Sequence, residues 1–137
     1  MNRAQKYPDT STFRYYNANP KGRLTTDCAV RAICTGTGIP YNDVVMGLAE
    51  IQCKYGMDGS SKEGIERYLK AHGWAKHKQP RKADWTKYTG SEFCKMLDKG
   101  ERVIANIGGH HIVAIVDGKV WDTWNSTDGC IGNYWTK

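Results

Sequence analysis

Apolar residues recur at helical spacing in the first two thirds of this chain and at strand spacing in the last third. Four segments in the first part also carry capping residues or glycines at their ends, which is typical of helices. We predict that these helices begin near Cys28, Tyr41, Ser60 and Ser91. The first is expected to stop at Gly36 and Gly38, and the third to begin with a capping box from Ser60 to Glu63.

The last third of the chain predicts an antiparallel sheet. Residues 102–107 are rich in β-branched side chains, and residues 111–116 form a nearly continuous apolar run that fits a central strand covered on both faces. Asp117-Gly118 then predicts a tight hairpin turn, and residues 119–123 the return strand. A weak alternation at 74–79 indicates a further strand. Because the helices precede the strands, the sequence favours an α+β fold, with N-terminal helices packed on a small antiparallel sheet.

We expect one domain over residues 1–137, because this length suits a single hydrophobic core. Residues 1–20 are polar and aromatic and contain two prolines, which predicts a mostly irregular N-terminal arm. Hydrophobic residues make up 39% of the chain and charged residues 25%, as in ordinary globular proteins. No apolar run suits a membrane span and no secretory signal opens the chain, so we expect a cytoplasmic protein without membrane association.

The basic residues and the cysteines narrow the function classes. The net charge is +6, and much of the excess lies in residues 76–82, among the aromatic residues Trp74, Trp85 and Tyr88. Such a segment could contact nucleic acid, but no nucleic-acid-binding motif accompanies it, so we interpret it as a solvated loop and expect no nucleic-acid partner.

The five cysteines show neither a paired pattern nor a metal-ligand spacing, so no disulfide framework, metal or cofactor is expected.

One cysteine stands where a catalytic thiol would be placed. Cys28 follows Thr25, Thr26 and Asp27, which are good capping residues, so it should occupy the start of a helix. Backbone N–H groups and the helix dipole stabilise a thiolate there. Asp27 would oppose the thiolate by its own charge, so we expect it to turn away, either capping the helix or meeting Arg31 one turn later. The other four cysteines are interpreted as ordinary packing or surface residues.

A histidine and a carboxylate follow late in the chain. His111 begins the apolar strand, so its side chain has a fixed direction, whereas His110 would point to the opposite face. Across the hairpin, positions whose numbers add to about 235 should pair, which puts His111 within diagonal reach of Asp122. Asn125 is the alternative residue to orient the imidazole, and strand parity favours Asp122. A thiol, an imidazole and an orienting carboxylate are the parts needed for cysteine nucleophilic catalysis.

These segments resemble the papain-like cysteine peptidase superfamily. The run from His111 to Val116 resembles the family's histidine strand, and Asp27-Cys28 with the small residues after it resembles the nucleophile helix. The chain is also similar to the peptidase domains of bacteriocin-exporting transporters, in which the strand after the hairpin ends in an aspartate, here Asp122, and to small papain-like proteins of bacteriophages and prophages. The resemblance implies a papain-like fold, with Cys28 as nucleophile, His111 as general base and acid, and Asp122 as the orienting group.

The chain departs from this family before the nucleophile. The family places a glutamine there to help stabilise the oxyanion, but Gly22 stands six residues before Cys28. The oxyanion would then be held by the backbone N–H of Cys28 together with another donor, for which Asn17, Asn19 and Arg23 are the candidates.

These observations predict a thiol hydrolase that cleaves a peptide or isopeptide amide through an acyl-enzyme on Cys28. The substrate would be a peptide or a protein. The enzyme itself would act in the host cytoplasm if a phage encodes it. The missing glutamine supports an alternative, a non-catalytic phage-type protein on the same fold that binds and inhibits a host protein. A further alternative is an acyltransferase, because such enzymes share the order of Cys, His and Asp along the chain.

Overall fold

The computed structural model describes all 137 residues and consists of five helices and one six-stranded mixed sheet, which confirms the α+β class. The helices are α1 (Arg3–Lys6), α2 (Cys28–Thr37), α3 (Tyr41–Tyr55), α4 (Lys62–Ala71) and α5 (Gly90–Met96). The strands are β1 (Phe13–Tyr15), β2 (Ala75–His77), β3 (Arg102–Ile107), β4 (His111–Val116), β5 (Lys119–Asp122) and β6 (Ile131–Thr136). Their order across the sheet is β1-β5-β4-β3-β6-β2.

The sheet is mixed, so the prediction of an antiparallel sheet is wrong at one edge. There β1 runs parallel to β5, with Phe13 opposite Val120. The strand comes from residues 1–20, which were expected to be mostly irregular and which otherwise contain only the short helix α1. Phe13 is fully buried, and burying this ring holds the segment against the sheet. Three residues carry too little pattern to predict such a strand from the sequence.

Both faces of the sheet are covered, which explains the continuous apolar run of β4. On one face, Ile33 of α2 and Leu69 of α4 pack with Ile112 of β4. On the other face, Phe93 of α5 packs with Val113 of β4. A strand in this central position has no solvated side, so residues of both parities are apolar.

The predictions of a helix stop at Gly36 and a capping box from Ser60 are wrong, each for a local reason. The helix α2 continues through Gly36, where a Cβ atom would lie 2.6 Å from Cγ1 of Ile104, so glycine here lets the helix approach the sheet closely. Gly38, the other predicted stop, ends the helix with φ of +79°. The helix α4 begins after Ser61, whose side chain accepts a hydrogen bond from the N–H of Gly64, so the predicted box beginning at Ser60 does not form.

The hairpin between β4 and β5 has the register that the sequence predicts. Ala114 lies opposite Trp121, and Ile115 lies opposite Val120. Both turn residues, at positions 117 and 118, have positive φ, as a two-residue hairpin turn requires. This register brings the start of β4 next to the end of β5. None of the five helices combines the length and the apolar composition needed to cross a bilayer.

Candidate active site

Three elements end at one cleft on the surface. Cys28 is the first residue of α2, His111 is the first residue of β4, and Asp122 is the last residue of β5. The cleft has a volume of about 370 Å³, and Cys28 and His111 both line it. The remaining lining residues are Arg3, Leu24, Thr25, Thr26, Arg31, Thr123 and Trp124. Cys28 is half-buried, so its sulfur is sheltered from bulk water and still reachable from the cleft.

The imidazole of His111 lies between the other two side chains. Its Nε2 is 2.5 Å from Oδ2 of Asp122 and donates a hydrogen bond to that carboxylate. The ring also interacts with the thiol of Cys28. Because Nε2 is bonded to Asp122, Nδ1 is the nitrogen left for the sulfur. The ring of Trp124 covers the imidazole, with 4.9 Å between the two centroids. The structure therefore brings together the three residues that the sequence predicts as nucleophile, base and orienting group.

The pKa values of the thiol and the imidazole move toward each other. The hydrogen bond with His111 lowers the pKa of Cys28 from its ordinary value of 9.0, and this effect outweighs the burial that would raise it. Burial alone would lower the pKa of His111, but hydrogen bonds to Asp122 and Cys28 outweigh it and raise the pKa from 6.5 to about 9. Both shifts favour a thiolate next to an imidazolium at neutral pH.

The carboxylate of Asp122 is held in place by three donors. Its side chain is only 2% exposed. Oδ2 accepts from His111, while Oδ1 accepts from Nη1 of Arg31 at 2.6 Å and from the N–H of Thr123 at 2.7 Å. Burial would raise the pKa of this carboxyl, but the hydrogen bonds from His111 and Arg31 outweigh it and lower the pKa. The group is therefore a fixed carboxylate that can orient and charge the imidazole.

Asp27 does not cap α2, so of its two expected roles the structure shows the contact with Arg31. Its Oδ1 accepts from Nε of Arg31 at 2.8 Å. Its Oδ2 accepts from the hydroxyl of Tyr41 at 2.6 Å and from Nδ2 of Asn19 at 3.1 Å. Because the carboxylate is turned toward these donors, it accepts no hydrogen bond from the first turn of α2.

The other candidate residues, three for the oxyanion and one for orienting the imidazole, lie outside the cleft. Nδ2 of Asn17 donates to the backbone carbonyl of Arg23, and Nδ2 of Asn19 donates to Asp27. Oδ1 of Asn125 accepts from the backbone and hydroxyl of Thr127. None of Asn17, Asn19, Arg23 and Asn125 lines the cleft around Cys28.

Two arginine contacts at the site do not follow from the sequence. Arg31 lies inside α2 and reaches Asp122, which is 91 positions away in the chain. The sequence predicted only its contact with Asp27, four residues before it. Arg3 lines the cleft, with Nε donating to the carbonyl of Thr123 at 2.6 Å, and nothing in the sequence pattern indicates this contact.

Comparisons with models of known protein families, with curated protein sequences and with solved structures give no significant match to this chain. No group of three or more His, Cys, Asp or Glu side chains is arranged to hold a metal ion. The function proposed below therefore depends on the geometry of the cleft and on the motifs around its cysteine and histidine.

Proposed function

We propose that this protein is a papain-like thiol hydrolase that cleaves a peptide or isopeptide amide through an acyl-enzyme on Cys28. The observation that supports this best is the chain of contacts from Cys28 through His111 to Asp122, which come from three separate elements. One imidazole nitrogen meets the sulfur and the other meets a buried carboxylate, as cysteine catalysis requires. The motifs at the start of α2 and β4 support the papain-like assignment.

In the proposed reaction, the Cys28 thiolate attacks the substrate carbonyl carbon, and the C–S bond forms as the carbonyl π electrons move onto oxygen. The oxyanion then expels the amine, and His111 donates its proton to the leaving nitrogen. Neutral His111 next takes a proton from water as that water attacks the thioester carbon. Collapse of the second oxyanion releases the acid and returns the Cys28 thiolate beside an imidazolium.

The oxyanion would be stabilised at the start of α2. The backbone N–H of Cys28, at the first position of α2, is one donor. Gly22 offers no side-chain donor where the family has glutamine. Arg3 lines the cleft and only its Nε bonds to the protein, so its terminal amino groups are the proposed second donor. Loss of one such donor costs about 10²–10³ in rate, so turnover should be slow if Arg3 does not replace the glutamine.

A peptide-cleavage assay tests this proposal. A pool of peptides of defined composition is incubated with the protein, and new amino termini are identified by mass spectrometry. Wild type should cleave, whereas Cys28→Ala and His111→Ala should not. Cys53→Ala is the matched control, because Cys53 is an exposed thiol outside the cleft. Cleavage that persists in Cys28→Ala would refute the proposal.

A second candidate, a non-catalytic binding protein, is favoured by one observation. Asn17, Asn19 and Arg23, the side chains predicted to stabilise the oxyanion, all lie outside the cleft. Such a protein would need the cleft and not the thiolate. Cys28→Ala would then keep its full biological effect, and wild type would form no covalent adduct with acyl donors.

A further inference from the structure

A buried guanidinium links the proposed catalytic carboxylate to a second carboxylate. Arg31 donates from Nη1 to Asp122 at 2.6 Å and from Nε to Asp27 at 2.8 Å. The exposed fraction of the Arg31 side chain is 9%, and those of Asp27 and Asp122 are 10% and 2%. The two bonds use different nitrogen atoms of one planar group, so they fix its orientation relative to both partners.

Stability alone does not account for this cluster. Burying an ion pair removes both charges from water, and well-packed apolar residues of similar volume are often at least as stabilising. The residues on either side of position 31 are apolar: Ala32 is buried in the hydrophobic core, and Val30 packs against that core. An apolar residue at position 31 would therefore suit the composition of α2. A charge at this position therefore calls for a role in the cleft.

We propose that Arg31 is a positioning residue of the Cys28 site, which holds the Asp122 carboxylate against His111 and offsets the negative charge of Asp27. This inference rests on the proposed hydrolase function and adds a fourth side chain to it. Without the guanidinium, Oδ1 of Asp122 would lose one of its hydrogen-bond donors. The carboxylate of Asp27, the residue next to Cys28 in the sequence, would also lose the positive charge that offsets it.

The charges around Arg31 determine whether its removal raises or lowers the pH at which the Cys28 thiolate forms. It faces the carboxylates of Asp27 and Asp122, with the His111–Cys28 pair beyond Asp122. The remaining neighbours are the Tyr41 hydroxyl, which donates to Asp27, and Arg3, which also lines the cleft. The two carboxylates oppose the thiolate, whereas the imidazolium of His111 and, to a smaller extent, the guanidinium of Arg31 favour it, so removal of the guanidinium should raise the pH at which the thiolate forms.

The test measures how the alkylation rate of Cys28 by iodoacetamide depends on pH. Peptide mapping is needed to separate Cys28 from the exposed thiols of Cys53 and Cys130. In Arg31→Met, the acidic limb of the profile should move up by roughly one pH unit, which makes alkylation about tenfold slower at a pH below the limb. A role limited to packing would change stability and would leave the position of this limb unchanged.

Arg67→Met is the matched control. Arg67 also pairs with an acidic residue four positions earlier, Glu63, but its side chain is 43% exposed and lies outside the cleft. Its profile should coincide with that of wild type. Arg31→Lys keeps a charge but cannot bond both carboxylates with one planar group, so its limb should move up by a smaller amount.

The results of the alkylation experiment distinguish a failure of the role proposed for Arg31 from a failure of the proposed hydrolase function. In one outcome, wild type shows an acidic limb at low pH, and both Arg31 variants fold and show the limb at the same pH. That result overturns the role of Arg31 and leaves the hydrolase proposal intact. A wild-type limb at the pKa of an ordinary thiol, about 8.5, overturns the activated site itself. If Arg31→Met does not fold, the Lys variant decides the question, because a wild-type profile in that variant also refutes the role.

Discussion

Replacing Asp122 with asparagine should destabilise the protein by an amount that depends on pH. The substitution keeps the shape of the side chain and removes the charge that faces His111 and Arg31. The pKa of His111 is raised from 6.5 to about 9, and one pKa unit corresponds to about 1.4 kcal/mol, so the fold favours the charged imidazole by roughly 3 kcal/mol. Removing one partner of a buried ion pair costs a similar amount, about 3–5 kcal/mol. We therefore expect the free energy of unfolding to fall by about 3 kcal/mol at neutral pH.

The sign of the pH dependence follows from the same pKa. Because the folded pKa of His111 lies above the unfolded value, its stabilisation is fully present below 6.5 and is lost as the pH rises through about 9. The difference between wild type and Asp122→Asn should therefore be largest near pH 6 and should shrink above pH 9. Arg31 keeps its charge throughout, so part of the difference should remain.

Urea unfolding followed by circular dichroism at several pH values measures this difference. Asp98→Asn is the matched control, since Asp98 is exposed in a loop and its side chain makes no hydrogen bond. A difference that stays below about 1 kcal/mol, or that does not change between pH 6 and above pH 9, would show that the carboxylate does not charge the imidazole.

Three further predictions test the fold around the site. Phe13→Ala should lower the free energy of unfolding by about 3–5 kcal/mol, because the ring is fully buried; a loss under 1 kcal/mol in chemical denaturation would contradict the pairing of β1 with the sheet. Gly36→Ala should lower it by about 1–3 kcal/mol, since the new Cβ would lie 2.6 Å from Ile104, and an unchanged melting temperature would argue against this close approach. In native protein, Cys94 should resist alkylation while Cys28 reacts, because burial raises the pKa of Cys94 to about 12; equal labelling of the two thiols, read by peptide mapping, would contradict this.

The elements that could be predicted from the sequence are those whose pattern is strong and local. The strands β3 and β4 begin and end where the β-branched and apolar runs do, and the Asp117-Gly118 turn alone sets the register of the hairpin. The strand β6 was not predicted, because its mixed sequence, from Ile131 to Thr136, has only two buried residues. Its place beside β3 is set by tertiary pairing, which the local pattern does not encode.

In the candidate site, too, contacts between residues close in the sequence could be predicted, whereas contacts between distant residues could not. The contact of His111 with Asp122 follows from strand parity across one short turn, so it could be predicted. The place of Cys28 beside them required only a helix that begins at that residue and packs on the sheet. The role of Arg31 could not be predicted, because its second partner lies 91 positions away on another element. The sequence predicted Asn17 and Asn19 as oxyanion donors because they lie shortly before Cys28. In the fold, Asn17 instead supports the loop before α2, and Asn19 supports Asp27.

The central claim is that Cys28 is a thiolate nucleophile activated by His111, and intact-mass labelling with a thiol-directed acyl probe tests it most directly. Near pH 6, wild type should gain the mass of one acyl group on Cys28, Cys28→Ala should gain none, and His111→Ala should react far more slowly. A wild-type protein that takes up no acyl group, or that labels as fast when His111 is replaced by alanine, would contradict the account.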